Sequence, residues 1–383
     1  LNVCPHCGYV ENSMPEEAIH MVPGTILHGQ YTIGKVVGYG GFGVTYIAWD
    51  NVLEKRVAIK EYLPSEFSTR MPGKPQLTIF NGDKAQQFDD GMKKFLDEAR
   101  RLAKFQDEPG IVKIYDCFEE NSTAYIVMEY LEGVTLGEYL KENGTVPEKV
   151  AIQMLMPIMR SLKTVHAEGI IHRDIAPDNI MISTDNQIKL IDFGAARYAT
   201  TSHSRSLTVI IKPGYSPEEQ YRSRGDQGSH TDVYAMGAVL YKMITGKTPP
   251  DAMERRAYFE NGKKDMLEPP SKYVKNLSSN TENAILNAMN VRIEDRTPDM
   301  ETLIHELTTE DEVVRHNGKI KKIDILKWPL GVKIAVPTAF VAIVSLIVLF
   351  LTGVIGFDIF SPRDIYIPDG MTRVPRIVSM EET

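Results

Sequence analysis

Residues 171–194 read Ile-His-Arg-Asp-Ile-Ala-Pro-Asp-Asn-Ile-Met-Ile-Ser-Thr-Asp-Asn-Gln-Ile-Lys-Leu-Ile-Asp-Phe-Gly, and three of their side chains suit a common chemistry. Asp174 lies in a loop-like segment, where its carboxylate could accept a hydroxyl proton. Asn179 and Asp192 offer the hard oxygen atoms that Mg²⁺ prefers, and Mg²⁺ usually takes one or two carboxylates together with phosphate oxygens. Residues 187–191 are apolar enough to form a buried strand that ends at Asp192. The stretch therefore predicts a site for phosphoryl-transfer chemistry.

The order H-R-D-x-x-x-x-N followed by D-F-G resembles the catalytic and metal loops of the eukaryotic-type (Hanks-type) protein kinases. Ordinary turn residues would explain His-Arg-Asp alone, but not both motifs at this spacing. The resemblance implies an α+β, two-lobed protein-kinase fold that uses ATP and Mg²⁺. It also implies that Asp174 orients the nucleophile and accepts its proton, and that Asn179 and Asp192 hold Mg²⁺.

Three glycines, Gly38, Gly40 and Gly43, lie between two strand-like segments. Such a pattern could also open a dinucleotide-binding unit, but no helix follows here, and this context favours a Gly-rich loop over phosphates. Lys60 ends the apolar run Val57-Ala58-Ile59-Lys60, where an ammonium needs partners. By resemblance, Lys60 grips the α- and β-phosphates and pairs with Glu98 on a following helix. The alternative for Glu98 is a solvated helix charge.

The segment Glu129-Tyr130-Leu131 follows two predicted strands and is expected to join the two lobes. By resemblance, the backbone of Glu129 and Leu131 binds adenine, with Met128 at the back of the pocket. Residues 61–90 are rich in Pro, Gly and polar side chains, so we expect a surface insertion there.

Further motifs of the resemblance lie after Gly194. Residues 195–215 are rich in Ser and Thr and resemble an activation segment. A phosphate added to this segment would pair with Arg173 and order the loop. Ser216-Pro217-Glu218 stands where the family has A-P-E, and Arg296 is the expected partner of that glutamate. Asp232 resembles the aspartate that braces the catalytic loop. These last residues are expected to be structural supports.

Ala176 is the main departure from the family pattern, because Ser/Thr kinases carry Lys two residues after the catalytic Asp. Losing that Lys removes a positive charge from the transition state, where electrostatic stabilisation counts most. Another cation could replace it. The residues Pro177-Asp178-Asn179 favour an active Ser/Thr kinase. Because of Ala176, the alternative is a pseudokinase that binds nucleotide or partners without catalysis.

Residues 334–357 contain no charged side chain and would form a helix of roughly 36 Å, enough for a hydrocarbon core of about 30 Å. A buried core helix is usually shorter and keeps a polar face. Five lysines lie in residues 319–333, whereas Arg363 follows the apolar stretch closely. This bias predicts a single-pass plasma membrane protein with a cytoplasmic kinase domain and an extracytoplasmic C-terminus. Residues 374–380 resemble the opening of a PASTA module, and an exposed tail is the alternative.

Cys4 and Cys7 form a C-x-x-C knuckle, which is half of the four-ligand set of structural Zn²⁺. A partial zinc-ribbon site and a metal-free tail both remain open. The chain has only three cysteines, so a disulfide framework is excluded, and its net charge of -8 argues against a nucleic-acid partner.

The predicted protein is a bacterial, membrane-anchored Ser/Thr kinase of the Hanks type, similar to the PASTA receptor kinases. Its partners would be protein substrates and the membrane, with a homodimer and a cell-wall ligand outside as further candidates. The predicted segments are a knuckle (1–14), a linker (15–30), a kinase domain (31–310, with lobes 31–130 and 131–310), a basic juxtamembrane segment (311–333), a transmembrane helix (334–357) and an extracytoplasmic stub (358–383).

Overall fold

The computed structural model describes residues 3–10, 15–193, 211–222 and 225–316. All of them belong to the first of two compact units, which runs from Leu1 to Asn317. Within these described ranges, no helix is both long and apolar enough to cross a membrane. The predicted transmembrane helix, the PASTA-like residues and most of the predicted activation segment lie outside the described residues.

A six-stranded antiparallel sheet with one long helix forms the first lobe. Its elements are β1 (Ile26–Leu27), β2 (Tyr31–Gly40), β3 (Gly43–Asp50), β4 (Lys55–Tyr62), α1 (Asp83–Leu102), β7 (Ile114–Glu120) and β8 (Thr123–Glu129). The strand order is β1-β2-β3-β4-β8-β7. Helix α1 contacts β7 and β8, and its apolar residues recur at helical spacing, so that Phe88, Phe95 and Ala99 are buried on one face.

The segment 61–90 is not the surface insertion that its composition predicts. It contains a two-stranded hairpin, β5 (Ser68–Arg70) with β6 (Leu77–Ile79), and it packs inward. The Arg70 guanidinium forms an ion pair with the Glu61 carboxylate on β4, and both side chains are fully buried. That prediction is therefore wrong for the buried part of the segment: a buried charge needs a paired partner, and Glu61 supplies one for Arg70.

The second lobe is mainly helical. Its elements are β9 (Gly133–Thr135), α2 (Leu136–Asn143), α3 (Glu148–Ala167), β10 (Ile180–Ser183), β11 (Ile188–Leu190), α4 (Ser229–Thr245), α5 (Ala252–Glu260), α6 (Ser279–Ala288) and α7 (Met300–Thr308). Helix α4 is buried on nearly every side, as expected for a helix that is apolar all round. Helices α3, α6 and α7 pack against it.

The two lobes meet beside β11. The Val112 amide donates to the Leu190 carbonyl at 3.1 Å, and the Leu190 amide donates to the Gly110 carbonyl at 2.8 Å. Asp192 follows β11 directly, and Asp174 lies in the loop between α3 and β10. Both carboxylates are thus placed at the junction of the lobes.

Candidate active site

The catalytic-loop residues are brought together as predicted. The Asn179 side-chain amide donates to the Asp174 backbone carbonyl and to Asp174 Oδ2, both at 2.7 Å. Asp174 and Asn179 are each 8% exposed, so this hydrogen-bonded pair is held with little contact with solvent. Because both bonds use the Asn179 nitrogen, its side-chain oxygen is directed away from Asp174.

Asp232 braces this loop from below, as predicted. Its carboxylate accepts hydrogen bonds from the backbone amides of His172 and Arg173, each at 2.8 Å, and lies 2.7 Å from His166 Nε2. Burial acts to raise the pKa of Asp232, but the contact with His166 and the neighbouring donors hold that pKa below its ordinary value.

Arg173 has a left-handed backbone, with φ of 68°. This conformation costs a non-glycine residue about 1–2 kcal/mol. The Asp232 bond fixes the Arg173 amide, and Gln220 Nε2 donates to the Arg173 carbonyl at 2.7 Å. Both sides of the strained residue are therefore held by buried or half-buried partners.

The metal loop is joined to the catalytic loop through backbone and ring contacts. The Ile191 amide donates to the Asn179 carbonyl at 2.9 Å, and His172 Nε2 donates to the Ile191 carbonyl at 3.0 Å. The Asp174 amide donates to His172 Nδ1 at 3.2 Å. Burial lowers the pKa of His172, which fits the neutral ring that these two bonds require.

Lys60 and Asp192 form an ion pair across the lobes. The distance from Lys60 Nζ to Asp192 Oδ1 is 2.6 Å, and Asp192 has a left-handed φ of 60°. Burial acts to raise the pKa of Asp192, but the ammonium of Lys60 holds that pKa below its ordinary value of 3.8. Lys60, Glu98, Met128 and Asp192 line one mainly apolar cavity. The pairing of Lys60 with Glu98 stays a prediction, since the ion pair that the structure gives Lys60 is with Asp192.

The predicted Gly-rich loop is the hairpin between β2 and β3, where Gly40 faces Gly43. A Cβ atom at Gly43 would lie 2.2 Å from the Glu61 carbonyl, so only glycine lets β3 approach β4 so closely here. A Cβ at Gly38 or Gly40 would meet nothing within 4 Å. The open side of the hairpin is thus the part with room for a ligand.

The predicted hinge begins at the end of β8. The Glu129 backbone amide donates to the Lys113 carbonyl at 2.9 Å. The Glu129 carboxylate oxygens accept from Lys189 Nζ at 2.6 and 2.8 Å. The adenine contacts predicted for the backbone of Glu129 and Leu131 stay a prediction.

The glutamate that pairs with Arg296 is Glu219, and the prediction of Glu218 is wrong by one residue. The Arg296 guanidinium donates to Glu219 Oε1 at 2.6 Å and to Glu219 Oε2 at 3.1 Å, in a buried pair. Glu218 instead pairs with Arg256 near the surface. The sequence Ser-Pro-Glu-Glu contains two glutamates, and burial decides between them.

Lys212 is a site residue that the sequence analysis missed. Its ammonium lies 3.4 Å from Asp174 Oδ1. Thirty-eight positions separate the two residues, so no local motif reveals the contact. The absence of a Lys at position 176 was the one available signal, because it implies a cation from elsewhere.

The Cys4–Cys7 knuckle has the expected tight turn, in which the Gly8 amide donates to the Cys4 carbonyl at 2.8 Å. The His6 ring lies 3.8 Å from the Trp49 ring, as measured between centroids. Over the described ranges, no group of three or more His, Cys, Asp or Glu side chains could hold a metal ion. Cys117 lies in β7 and is half-buried.

Comparison with known proteins gives matches over most of the described residues. The family model of the protein kinase domain matches residues 31–328. The serine/threonine-protein kinase PrkC of Bacillus subtilis is 35% identical over 232 residues, which cover 60% of this chain and 33% of the relative. PknB of Mycobacterium tuberculosis is 33% identical over 280 residues, covering 70% of this chain and 41% of the relative. The chain thus spans well under half the length of these curated relatives.

Solved structures give the same result for the fold. The structure described as "PpkA-294 apo form" is 32% identical, with a TM-score of 0.64, and the match covers 76% of this chain and 99% of that one. Rad53 1–466 in complex with AMP-PNP has a TM-score of 0.53 at 23% identity, which supports the fold alone.

Proposed function

Because the chain belongs to the protein kinase family, we propose that it transfers the γ-phosphoryl group of ATP to serine and threonine hydroxyls of proteins. The observation that carries the proposal is that side chains from both lobes converge on one site. Lys60, from the sheet lobe, lies 2.6 Å from Asp192, and Asp192 follows a residue hydrogen-bonded to Asn179, which in turn holds Asp174. The names of the similar proteins, which are serine/threonine kinases, support the choice of acceptor.

In this proposal Asp174 handles the proton. Asn179 fixes Asp174 Oδ2, so the carboxylate is aimed at a hydroxyl in the cleft. The hydroxyl oxygen attacks the γ-phosphorus while the bond from that phosphorus to the bridging oxygen breaks, and ADP takes the electron pair. The hydroxyl proton passes to Asp174. Lys60 binds the α- and β-phosphates from the roof of the cleft.

The oxygen atoms near Asp192 fit Mg²⁺. The Asn179 side-chain oxygen is directed away from Asp174, and Asp192 has a second carboxylate oxygen besides the one that Lys60 contacts. Asn179 and Asp192 would therefore hold the ion, which supplies neutralisation of phosphate charge when bound.

The second candidate is a pseudokinase that binds nucleotide without transfer. Ala176, which replaces the usual Lys and is 1% exposed, favours it. Purified protein incubated with labelled ATP, Mg²⁺ and a Ser/Thr peptide mixture separates the two candidates. We expect transfer, and a loss of about 10²–10⁴-fold in Asp174→Asn. Asp185→Asn, in the exposed turn between β10 and β11, is the matched control. Nucleotide binding without transfer in the wild type would favour the pseudokinase.

The segments outside the described residues support a membrane-anchored form of this kinase. The charge-free residues 334–357 and the lysines before them support a single span with the kinase domain in the cytoplasm. A protease applied to intact spheroplasts should remove a tag at the C-terminus and spare one at the N-terminus; protection of both tags would contradict the anchoring. A PASTA-type ligand site outside, a homodimer and a zinc site at Cys4 and Cys7 rest on the sequence alone.

A further inference from the structure

We propose that Lys212 supplies the positive charge that related kinases place at position 176, and that its ammonium contacts the γ-phosphoryl group during transfer. This inference rests on the proposed function, because it assigns a role within that reaction.

The first observation is that the residue at position 176, an alanine, carries no charge. Ala176 is buried at 1% exposure, and it immediately precedes the short turn Pro177–Asn179. The Asn179 amide donates to the Ala176 carbonyl at 2.9 Å, which fixes the loop around this small side chain. A transition state with developing negative charge needs a preorganised cation nearby.

The second observation is where the Lys212 ammonium lies. It is 3.4 Å from Asp174 Oδ1, while the Asn179 amide holds Oδ2 at 2.7 Å. Each oxygen of the Asp174 carboxylate thus has one donor beside it, and the side chain of Lys212 is 24% exposed. In the proposed reaction the transferred phosphorus lies beside Asp174, next to this ammonium.

The third observation is that Lys212 is preorganised by its own turn. Its amide donates to Ser216 Oγ at 3.2 Å, and its carbonyl accepts from the amides of Tyr215 and Ser216, each at 3.0 Å. Gly214, with φ of 86°, lets this turn approach the Pro249 carbonyl, which a Cβ atom would meet at 2.5 Å. A lysine on a fixed turn loses less entropy on binding phosphate than one on a mobile loop.

The alternative role for Lys212 is structural, in which it only balances the charge of Asp174. The two roles differ in what substitution does. A structural lysine would change stability and nucleotide affinity, whereas a lysine that contacts the transferred group changes kcat more than the KM for ATP.

The test uses the full chain and compares Lys212→Met, Lys212→Arg and the double variant Lys212→Met with Ala176→Lys. We expect Lys212→Met to lower kcat by about 10²-fold or more, as for loss of one transition-state donor. Its thermal midpoint and AMP-PNP affinity should stay close to the wild type. Arg at 212, or Lys at 176 in the double variant, should restore at least about a tenth of the wild-type kcat, because either returns a cation to the cleft.

Three results would overturn the inference: a loss of kcat below about threefold in Lys212→Met, a loss accompanied by weaker AMP-PNP binding and a lower thermal midpoint, or rescue by neither cation. If the double variant fails to fold, Lys212→Arg alone decides. A wild-type chain that binds AMP-PNP but transfers no phosphate would instead refute the proposed function.

Discussion

Replacing Glu219 with Gln should destabilise the helical lobe far more than the same change at its neighbour Glu218. The Glu219 side chain is 3% exposed and its partner Arg296 is fully buried, with contacts of 2.6 and 3.1 Å. Thr231 Oγ1 also donates to Glu219 Oε1 at 3.0 Å. Removing the carboxylate leaves a guanidinium without its counter-charge in the core, which costs about 3–5 kcal/mol.

Glu218→Gln is the matched control, because it makes the same chemical change one residue away. Glu218 pairs with Arg256, whose side chain is 29% exposed, and it lies 3.9 Å from Arg222, whose side chain is 51% exposed. Ion pairs in contact with water contribute about 0–1 kcal/mol. The free energy of unfolding from urea titrations of both variants gives the comparison. Equal losses, or a larger loss for Glu218→Gln, would refute the assignment of Glu219 as the buried partner.

Three further predictions follow from the site. Gly43→Ala should lower the free energy of unfolding by about 1–3 kcal/mol, because the new Cβ would strike the Glu61 carbonyl. Gly38→Ala, with open space around it, should change that free energy by less than about 0.5 kcal/mol. Equal urea midpoints for the two variants would contradict this. Asp232→Asn should cost about 2–4 kcal/mol, since the amide cannot accept all three bonds, and transfer activity should fall with it; an unchanged urea midpoint would count against the brace. In NMR titrations the pKa of Asp192 should lie below 3.8 in the wild type and should be higher in Lys60→Met. The stability due to this ion pair is therefore present near neutral pH and is lost as pH falls through the lowered pKa. An unchanged pKa of Asp192 in Lys60→Met would contradict the assignment.

The placement of the proposed phosphate- and proton-handling residues at one site could be predicted from the sequence, because the chemistry proposed for them restricts both residue type and order. Asp174, Asn179 and Asp192 are each the kind of group that the reaction needs, and their spacing is set by one loop and one strand. Their mutual contacts in the structure follow from that spacing. Lys60 could be predicted for a similar reason, since an ammonium that follows a run of buried apolar residues requires an anion.

Contacts set by tertiary packing could not be predicted in this way. Arg70 lies in a stretch whose composition indicates a surface loop, yet it is buried because Glu61 compensates its charge. Glu219 and Glu218 are chemically identical neighbours, and only the depth of Arg296 distinguishes them. Lys212 reaches Asp174 because the chain returns to the catalytic loop, and nothing in the local sequence around Lys212 encodes that return.

The most direct test of the common site is a crystal structure of the protein with AMP-PNP and Mg²⁺. We expect Asp192 and Asn179 oxygens at about 2.0–2.1 Å from the ion, as Mg²⁺ requires, and Lys60 Nζ within hydrogen-bond distance of the α- or β-phosphate. We also expect Asp174 to face the γ-phosphate. Nucleotide bound elsewhere, or Mg²⁺ held without Asp192, would contradict the account.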